Sequence, residues 1–390
     1  MTDTAVMRLQ LAVFALVSAC FTNIYITQPV LPVLQQEFHA SSVMVSFTIS
    51  AVILGIALAN LPFGVLADRL PIRPIIMLGA GAMLAGGLIC ASTHSLWVLI
   101  AARFLQGLFV PALTTCLAAF LAKSLPPERL NVVMGYYVSA TVVGGLGGRL
   151  LGGWVHLPEH WRHAFVTAGA FLLLAMGFAM HHLPRTQVRP REQVNTGFWE
   201  LLRRRELLAL FLCGAGGFGL FSSLFNFLPF RLSEPAFGFS TRQITLVYLV
   251  YVMGIFMGPM AGRVANRVGS GPTLLFGSSV LALALCCLLL PLVWAVVAGL
   301  LLVCAGFFTV HAAAVGAINR KLSGGQGRAN ALYVLFYYVG GWVGITVAGL
   351  AYTHLGWTAV VMLGFLLLLV PINAGLSELR DALPDRSSRG

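Results

Sequence analysis

The sequence predicts an all-α polytopic membrane protein with twelve transmembrane helices in two pseudo-symmetric six-helix bundles. Three observations predict it: an apolar composition, twelve apolar runs of spanning length, and an internal repeat that copies the first half onto the second. Of 390 residues, 58% are hydrophobic and only 9% charged, against about 25% charged in an ordinary soluble domain. That much apolar surface exceeds what one water-soluble core can hide, so lipid is the expected solvent.

A bilayer core needs about 20 apolar residues per helix. Spans are predicted at 10–34, 43–66, 75–92, 97–121, 131–155 and 162–182. A second set follows at 208–230, 242–264, 273–290, 294–318, 329–353 and 357–376. Helices are the economical structure for such runs because they satisfy their own backbone groups. Val17-Ser18-Ala19-Cys20 has the look of a lipoprotein cleavage site. Cutting there would divide the first span, so it is read as part of that span.

The basic residues set the orientation. All but five of the 24 Lys and Arg residues fall on the side of Arg8. The exceptions are Arg162, Arg231 and Arg242 on the other side, and Arg103 and Arg149 within spans. The basic side is cytoplasmic by the positive-inside rule, which puts both termini there. The longest polar stretch, about 184–206, contains Phe198-Trp199-Glu200-Leu201-Leu202. The expected division is a first bundle at 1–183, a cytoplasmic linker with a short interfacial helix at 184–207, and a second bundle with a cytoplasmic tail at 208–390.

The halves echo each other. Gly64-Val-Leu-Ala-Asp-Arg-Leu-Pro-Ile-Arg-Pro74 aligns with Gly262-Arg-Val-Ala-Asn-Arg-Val-Gly-Ser-Gly-Pro272, 198 residues on. Gly144, Gly148 and Trp161 align with Gly340, Gly344 and Trp357, 196 residues on. A tandem duplication explains both, and transporters with such repeats place their site between the copies.

Three motifs carry the chemistry. In the loop between spans two and three, Gly64 would let helices approach closely. Asp68 precedes a helix start for which Pro74 suits the first position, where helix dipoles and nearby Arg favour a carboxylate. In span four, Arg103, Gln106 and Gly107 share one helical face. Arg103 lies ~9 Å below Trp97 by simple helix rise, so it faces a cavity or partner or snorkels to the outer headgroups. In span five, Gly144, Gly148 and Gly152 make a smooth stripe for close helix packing, with Arg149 in the series.

Together these resemble the signatures of the major facilitator superfamily, in particular its twelve-helix drug/proton antiporter branch. The loop resembles the gating motif, and the resemblance implies that Gly64, Asp68, Arg69 and Arg73 form it. Asp68 would then close the cytoplasmic side against span eleven near Arg328. Arg103-Phe-Leu-Gln106-Gly107 is similar to the span-four motif implicated in proton coupling. Gly135, Gly144, Gly148, Gly152 and Gly153 resemble the antiporter motif of span five. Pro29-Val-Leu-Pro32 and Trp161-Arg162-His163-Ala164-Phe165 also resemble that branch. Three positions depart from the pattern: Pro71 stands for a loop glycine, Asn266 for the acid of the second repeat, and Arg149 for the antiporter proline.

The resemblance implies alternating access about a cavity lined by spans one, four, seven and ten, with proton-powered export of a small organic molecule. Asn23, Tyr25, Gln28, Arg103, Gln106, Asn226 and His311 are the polar residues expected near it. Uptake or facilitated passage of a sugar, amino acid or organic anion is the alternative.

No acidic residue falls within a predicted span, which leaves His311, Asp68 or Glu37 as proton carriers. A lone His on an apolar helix is also satisfied by one hydrogen bond. Arg103 and Arg149, at similar depth without an intramembrane acid, either invite an anionic substrate or are satisfied by Gln106, backbone carbonyls, water or lipid phosphate.

Other classes fit poorly. The basic residues lie in short gaps between spans, whereas nucleic-acid readers concentrate them on one face. All seven cysteines sit in apolar runs without metal-ligand spacing, so no disulfide, metal or cofactor is expected. A membrane-embedded enzyme would need clustered catalytic groups at membrane depth, and a receptor or scaffold a sizeable extramembrane domain. The expected partners are a small-molecule substrate, protons and the bilayer, with the chain a monomer in the inner (plasma) membrane of a bacterial-type cell.

Overall fold

The computed structural model describes residues 3–124, 127–183, 197–322 and 325–382, and among them every regular element is helical. In chain order these are α1 (Asp3–Ile24), α2 (Leu31–Glu37), α3 (Ser42–Arg69), α4 (Ile72–Ser92), α5 (Leu96–Leu113), α6 (Thr115–Ser124), α7 (Pro127–Leu150) and α8 (Arg162–His182). There follow α9 (Phe198–Arg203), α10 (Arg205–Ser233), α11 (Thr241–Val247), α12 (Met253–Val268), α13 (Ser270–Leu289), α14 (Val293–Arg320) and α15 (Gln326–Ala382).

Among the described residues, ten helical stretches reach the length and apolarity of a span. The last of them, α15, turns at Gly356, whose φ of +66° only glycine adopts readily, so it accounts for two crossings. Span five is α7 continued by a π-turn at Leu151–Val155; its glycines and Arg149 dilute its apolarity. Twelve crossings result.

Span one differs from the continuous helix expected over 10–34. It ends at Ile24, runs through turns and resumes as α2 at Leu31. Pro29 and Pro32 are the reason, since neither offers an N–H to a helical ladder. Span four bends at Thr114 after Pro111, and span eight tightens to a 3₁₀ turn at Tyr248–Val252 before α12. The third span starts at Ile72 with Pro71 as its cap, two residues before the Pro74 expected to open it.

The glycines aligned by the repeat make equivalent contacts in both halves. A methyl on Gly144 or Gly148 would lie 2.2 or 2.1 Å from the carbonyl oxygen of Ser18 or Thr22. On Gly340 or Gly344 it would lie 2.3 or 2.6 Å from that of Ala215 or Gly219. Spans one and five, and their counterparts seven and eleven, therefore meet backbone to backbone. Gly152 extends the first stripe to within 1.9 Å of the Ile26 carbonyl oxygen. Gly64 has no described residue within 4 Å of where its methyl would be.

Of the expected linker, residues 184–196 lie outside the described residues. The short helix expected there is α9, with Trp199 two-thirds exposed.

Candidate functional site

The break in span one builds the first part of the site. Ending a helix at Ile24 leaves the carbonyls of its last turn without N–H partners. Arg103, fully buried, supplies them: Nη1 donates to the Asn23 carbonyl at 2.7 Å and Nη2 to that of Ile24. Its Nε donates to the Thr48 carbonyl at 3.0 Å and Nη1 also to Gln106 Oε1 at 2.6 Å. Gln106 Nε2 in turn donates to the Met83 carbonyl at 2.9 Å. Asn23 Nδ2 donates to the Ala19 carbonyl at 2.9 Å. The snorkelling alternative is thus overturned. The guanidinium fastens α5 to α1 and α3 at their backbones.

Arg149 is 1% exposed and held differently, by side chains and rings. Nε donates to Gln28 Oε1 at 2.7 Å, Nη1 to the Gly145 carbonyl at 2.8 Å, and Nη2 to the Tyr251 hydroxyl at 2.9 Å. The rings of Tyr25, Tyr251 and Tyr248 lie 4.0, 4.1 and 5.2 Å from its carbon centre, where their π faces attract the charge. No carboxylate among the described residues reaches it. Tyr248 and Tyr251 belong to span eight, so the cage joins the halves. The structure gives the two arginines separate partners.

Three further hydrogen bonds inform the site. Asn226 of α10, fully buried, donates from Nδ2 to Ser46 Oγ of α3 at 2.9 Å, again across the halves. Its Oδ1, and Ser50 Oγ one turn along α3, have no partner among the described residues. Asn60 Nδ2 of α3 donates to the Ala331 carbonyl of α15 at 3.3 Å. His311 Nδ1 lies 2.9 Å from the Tyr333 hydroxyl, stacked on Phe307.

Around these groups the second half is aromatic. Phe218 stacks on Tyr337 at 3.8 Å between centroids, Phe221 on Phe307 at 4.1 Å, and Phe225 lies 4.5 Å from Tyr251. Sequence reasoning missed this cluster. A signal existed: Phe218, Phe221 and Phe225 are spaced three and four apart, which puts them on one helical face.

At the expected cytoplasmic end, Asp68 accepts from Lys123 Nζ of α6 at 2.6 Å, within its own half. The Arg328 guanidinium lies over the Phe198 ring, 5.5 Å from its centroid. Arg73 clasps the Leu183 carbonyl at the end of α8 with Nε (2.9 Å) and Nη2, while Arg69 is exposed. The second half keeps the arrangement without the acid: Asn266 Oδ1 accepts from Arg320 Nη1 at 3.1 Å. Glu37, one of the expected proton carriers, is tied by Trp161 Nε1 and Arg162 Nη2, each at 2.7 Å.

The Asp68–Lys123 pair sits half in solvent, so Asp68→Asn is expected to change stability by less than about 1 kcal/mol. Thermal unfolding of the purified variant beside a transport assay checks this. A large loss of transport with intact stability assigns Asp68 to gating; a matching loss of stability assigns it to structure.

A profile described as the Major Facilitator Superfamily matches residues 13–322. An uncharacterized MFS-type transporter of Bacillus subtilis, YybF, is 27% identical over 388 residues, covering 97% of this chain and 95% of its own. The inner membrane transport protein YnfM of Escherichia coli is 30% identical over 378 residues, covering 95% and 90%. Among solved structures, a bacterial homolog of the human lysosomal transporter Spinster, inward-facing and unoccupied, superposes with a TM-score of 0.77. It shares 16% identity and covers 99% of this chain and 100% of its own.

Proposed function

The chain belongs to the major facilitator superfamily, a multi-pass membrane transporter rather than an enzyme, and on that premise we propose that it exports a small organic molecule by alternating access, driven by the proton gradient. Its place is the bacterial inner membrane, as YnfM's name states for that relative, with both termini cytoplasmic. Substrate passes between bundle 1–183 and bundle 208–390, and the halves rock about the level of Arg149 and Asn226. Resemblance of the span-four and span-five motifs to the drug/proton antiporter branch supports the direction and the coupling.

The observation that carries alternating access is the small number of polar ties between the halves. Among the described residues the side-chain hydrogen bonds that join them in the membrane are Arg149 to Tyr251, Asn226 to Ser46 and Asn60 to Ala331. The two neutral ties are worth about 1 kcal/mol net each and the one from the guanidinium about 1.5–3 kcal/mol, within reach of a ligand that binds one state better than another. At the expected outer side the backbone of one half meets a side chain of the other: a methyl on Gly153 would lie 2.1 Å from Thr245 Oγ1. On the cytoplasmic thirds, Gly64, Gly135, Gly258 and Gly262 have no described neighbour within 4 Å of that position. The pattern suits a transporter closed outside and less crowded inside.

Substrate flux in everted membrane vesicles, with and without an uncoupler, tests the proposal. Accumulation in the vesicles that collapses with the uncoupler is expected. Flux indifferent to the uncoupler, or running only towards the cytoplasm, would replace export with facilitated passage or uptake. His311 is the membrane-depth candidate for carrying the proton, because its ring nitrogen bonds a tyrosine rather than a fixed charge. His311→Gln is therefore expected to remove uncoupler sensitivity while leaving substrate exchange. Retained sensitivity in that variant would point to another proton carrier.

A further inference from the structure

We propose that Arg149 is the recognition point for an anionic group on the cargo, and that the anion competes with the Tyr251 hydroxyl of the opposite half for the guanidinium. The inference rests on the transporter reading and adds to it a substrate class and a way for occupancy to reach the interface between the halves.

Three observations carry it. First, a cation 1% exposed has only neutral partners among the described residues: an amide oxygen, a carbonyl and a phenol. A buried charge without an opposite charge is costly, and a ligand that brings one is bound more tightly for it. Arg103 makes the contrast. Three of its four bonds go to main-chain carbonyls at helix backbones, which cannot swing aside for a ligand. Two of Arg149's three go to the side-chain tips of Gln28 and Tyr251, which can.

Second, the geometry suits a carboxylate. A guanidinium has five N–H donors in a fixed fork that matches two carboxylate oxygens, and Arg149 uses three of the five. A carboxylate is a stronger acceptor than the phenol oxygen that Nη2 now uses. The rings of Tyr25, Tyr248 and Tyr251 exclude water from the charge, which strengthens its attraction for an anion and offers stacking to an aromatic or apolar body. Phe221 and Phe225 extend that surface from Tyr251, at 5.4 and 4.5 Å between centroids. The matching class is a small organic monoanion with an aromatic or apolar body.

Third, the competing hydroxyl belongs to the other half. An anion that takes Nη2 removes one of the hydrogen bonds that join the halves, so binding at the cage loosens the contact that transport must break.

Benzoate, benzamide and benzyltrimethylammonium are suitable probes, measured by calorimetry and thermal shift on the purified full chain in detergent. Benzoate is expected to bind at least about tenfold tighter than benzamide, with the ammonium compound weaker still. Arg149→Gln should erase the preference for acid over amide. Tyr251→Phe, which removes only the competing oxygen, should tighten benzoate by about threefold and leave benzamide unchanged. The proposal is overturned by equal responses to acid and amide, by no response to either, by a preference that survives Arg149→Gln, or by weaker benzoate binding in Tyr251→Phe. If Arg149→Gln fails to fold, the wild-type comparison and Tyr251→Phe decide. Acid-selective binding without flux in proteoliposomes would remove the transport proposal and leave this site standing. Flux of uncharged cargo without acid selectivity would do the reverse.

Discussion

Arg103→Ala should cost the protein about 2–6 kcal/mol of stability, enough to lower the yield of folded transporter sharply. The substitution leaves the carbonyls of Asn23 and Ile24 facing the vacated space with no donor, and Thr48, inside α3, with its ladder bond alone. Each buried acceptor left unmade costs about 1–3 kcal/mol. The Asn23 and Ile24 carbonyls close the last turn of α1, so span one loses the stop that fixes its break before Pro29. Arg103→Lys should recover little, because one ammonium cannot span three carbonyls on two helices as the planar fork does. Thermal unfolding and monodispersity in mild detergent measure both variants. An Arg103→Ala protein with wild-type stability and lost transport would show that the residue serves transport and that its carbonyl contacts are dispensable.

Gly148→Ala is expected to be the next most damaging change, by about 3 kcal/mol, the upper end of the usual overpacking cost. The new methyl would stand 2.1 Å from the Thr22 carbonyl oxygen and 3.0 Å from its carbon. Main chain cannot rotate away as a side chain does, so α7 and α1 must separate. Arg149 is the next residue and would move with α7, away from Gln28 and Tyr251. Transport should therefore fall further than stability alone explains. Gly344→Ala, with its methyl 2.6 Å from the Gly219 carbonyl oxygen, should do the same more mildly in the second half. Gly135→Ala is the control: with open space around it, replacing a helical glycine should be neutral or stabilising by up to about 1 kcal/mol. Equal melting temperatures for Gly148→Ala and Gly135→Ala would contradict the packing seen along the stripe.

The two arginines show how far the sequence could be read. Their burial, and the absence of an acid near them, was legible because both sit within long apolar runs. Which partners each would find was not. Arg103's partners lie 80 and 79 residues away, at a helix end that exists only because two prolines interrupt span one. Arg149's partners lie 121 and 102 residues away, the second in the other half of the chain. Asp68 illustrates the same limit. Charge and position marked it, but Lys123, 55 residues on, is its partner because α6 packs beside α3.

By itself the sequence determined the solvent, the number of crossings, the duplication and the glycine stripe. Each of these is local in origin, since hydropathy and small-residue spacing are read within one helix and repetition compares like with like. Only the tertiary structure decided the break in span one as a docking point for Arg103, the tyrosine cage of Arg149, and the aromatic wall from Phe218 to Tyr337. Those depend on which helices become neighbours, and neighbours are chosen by packing between segments some eighty residues apart or more. No local pattern of charge or hydropathy encodes that choice.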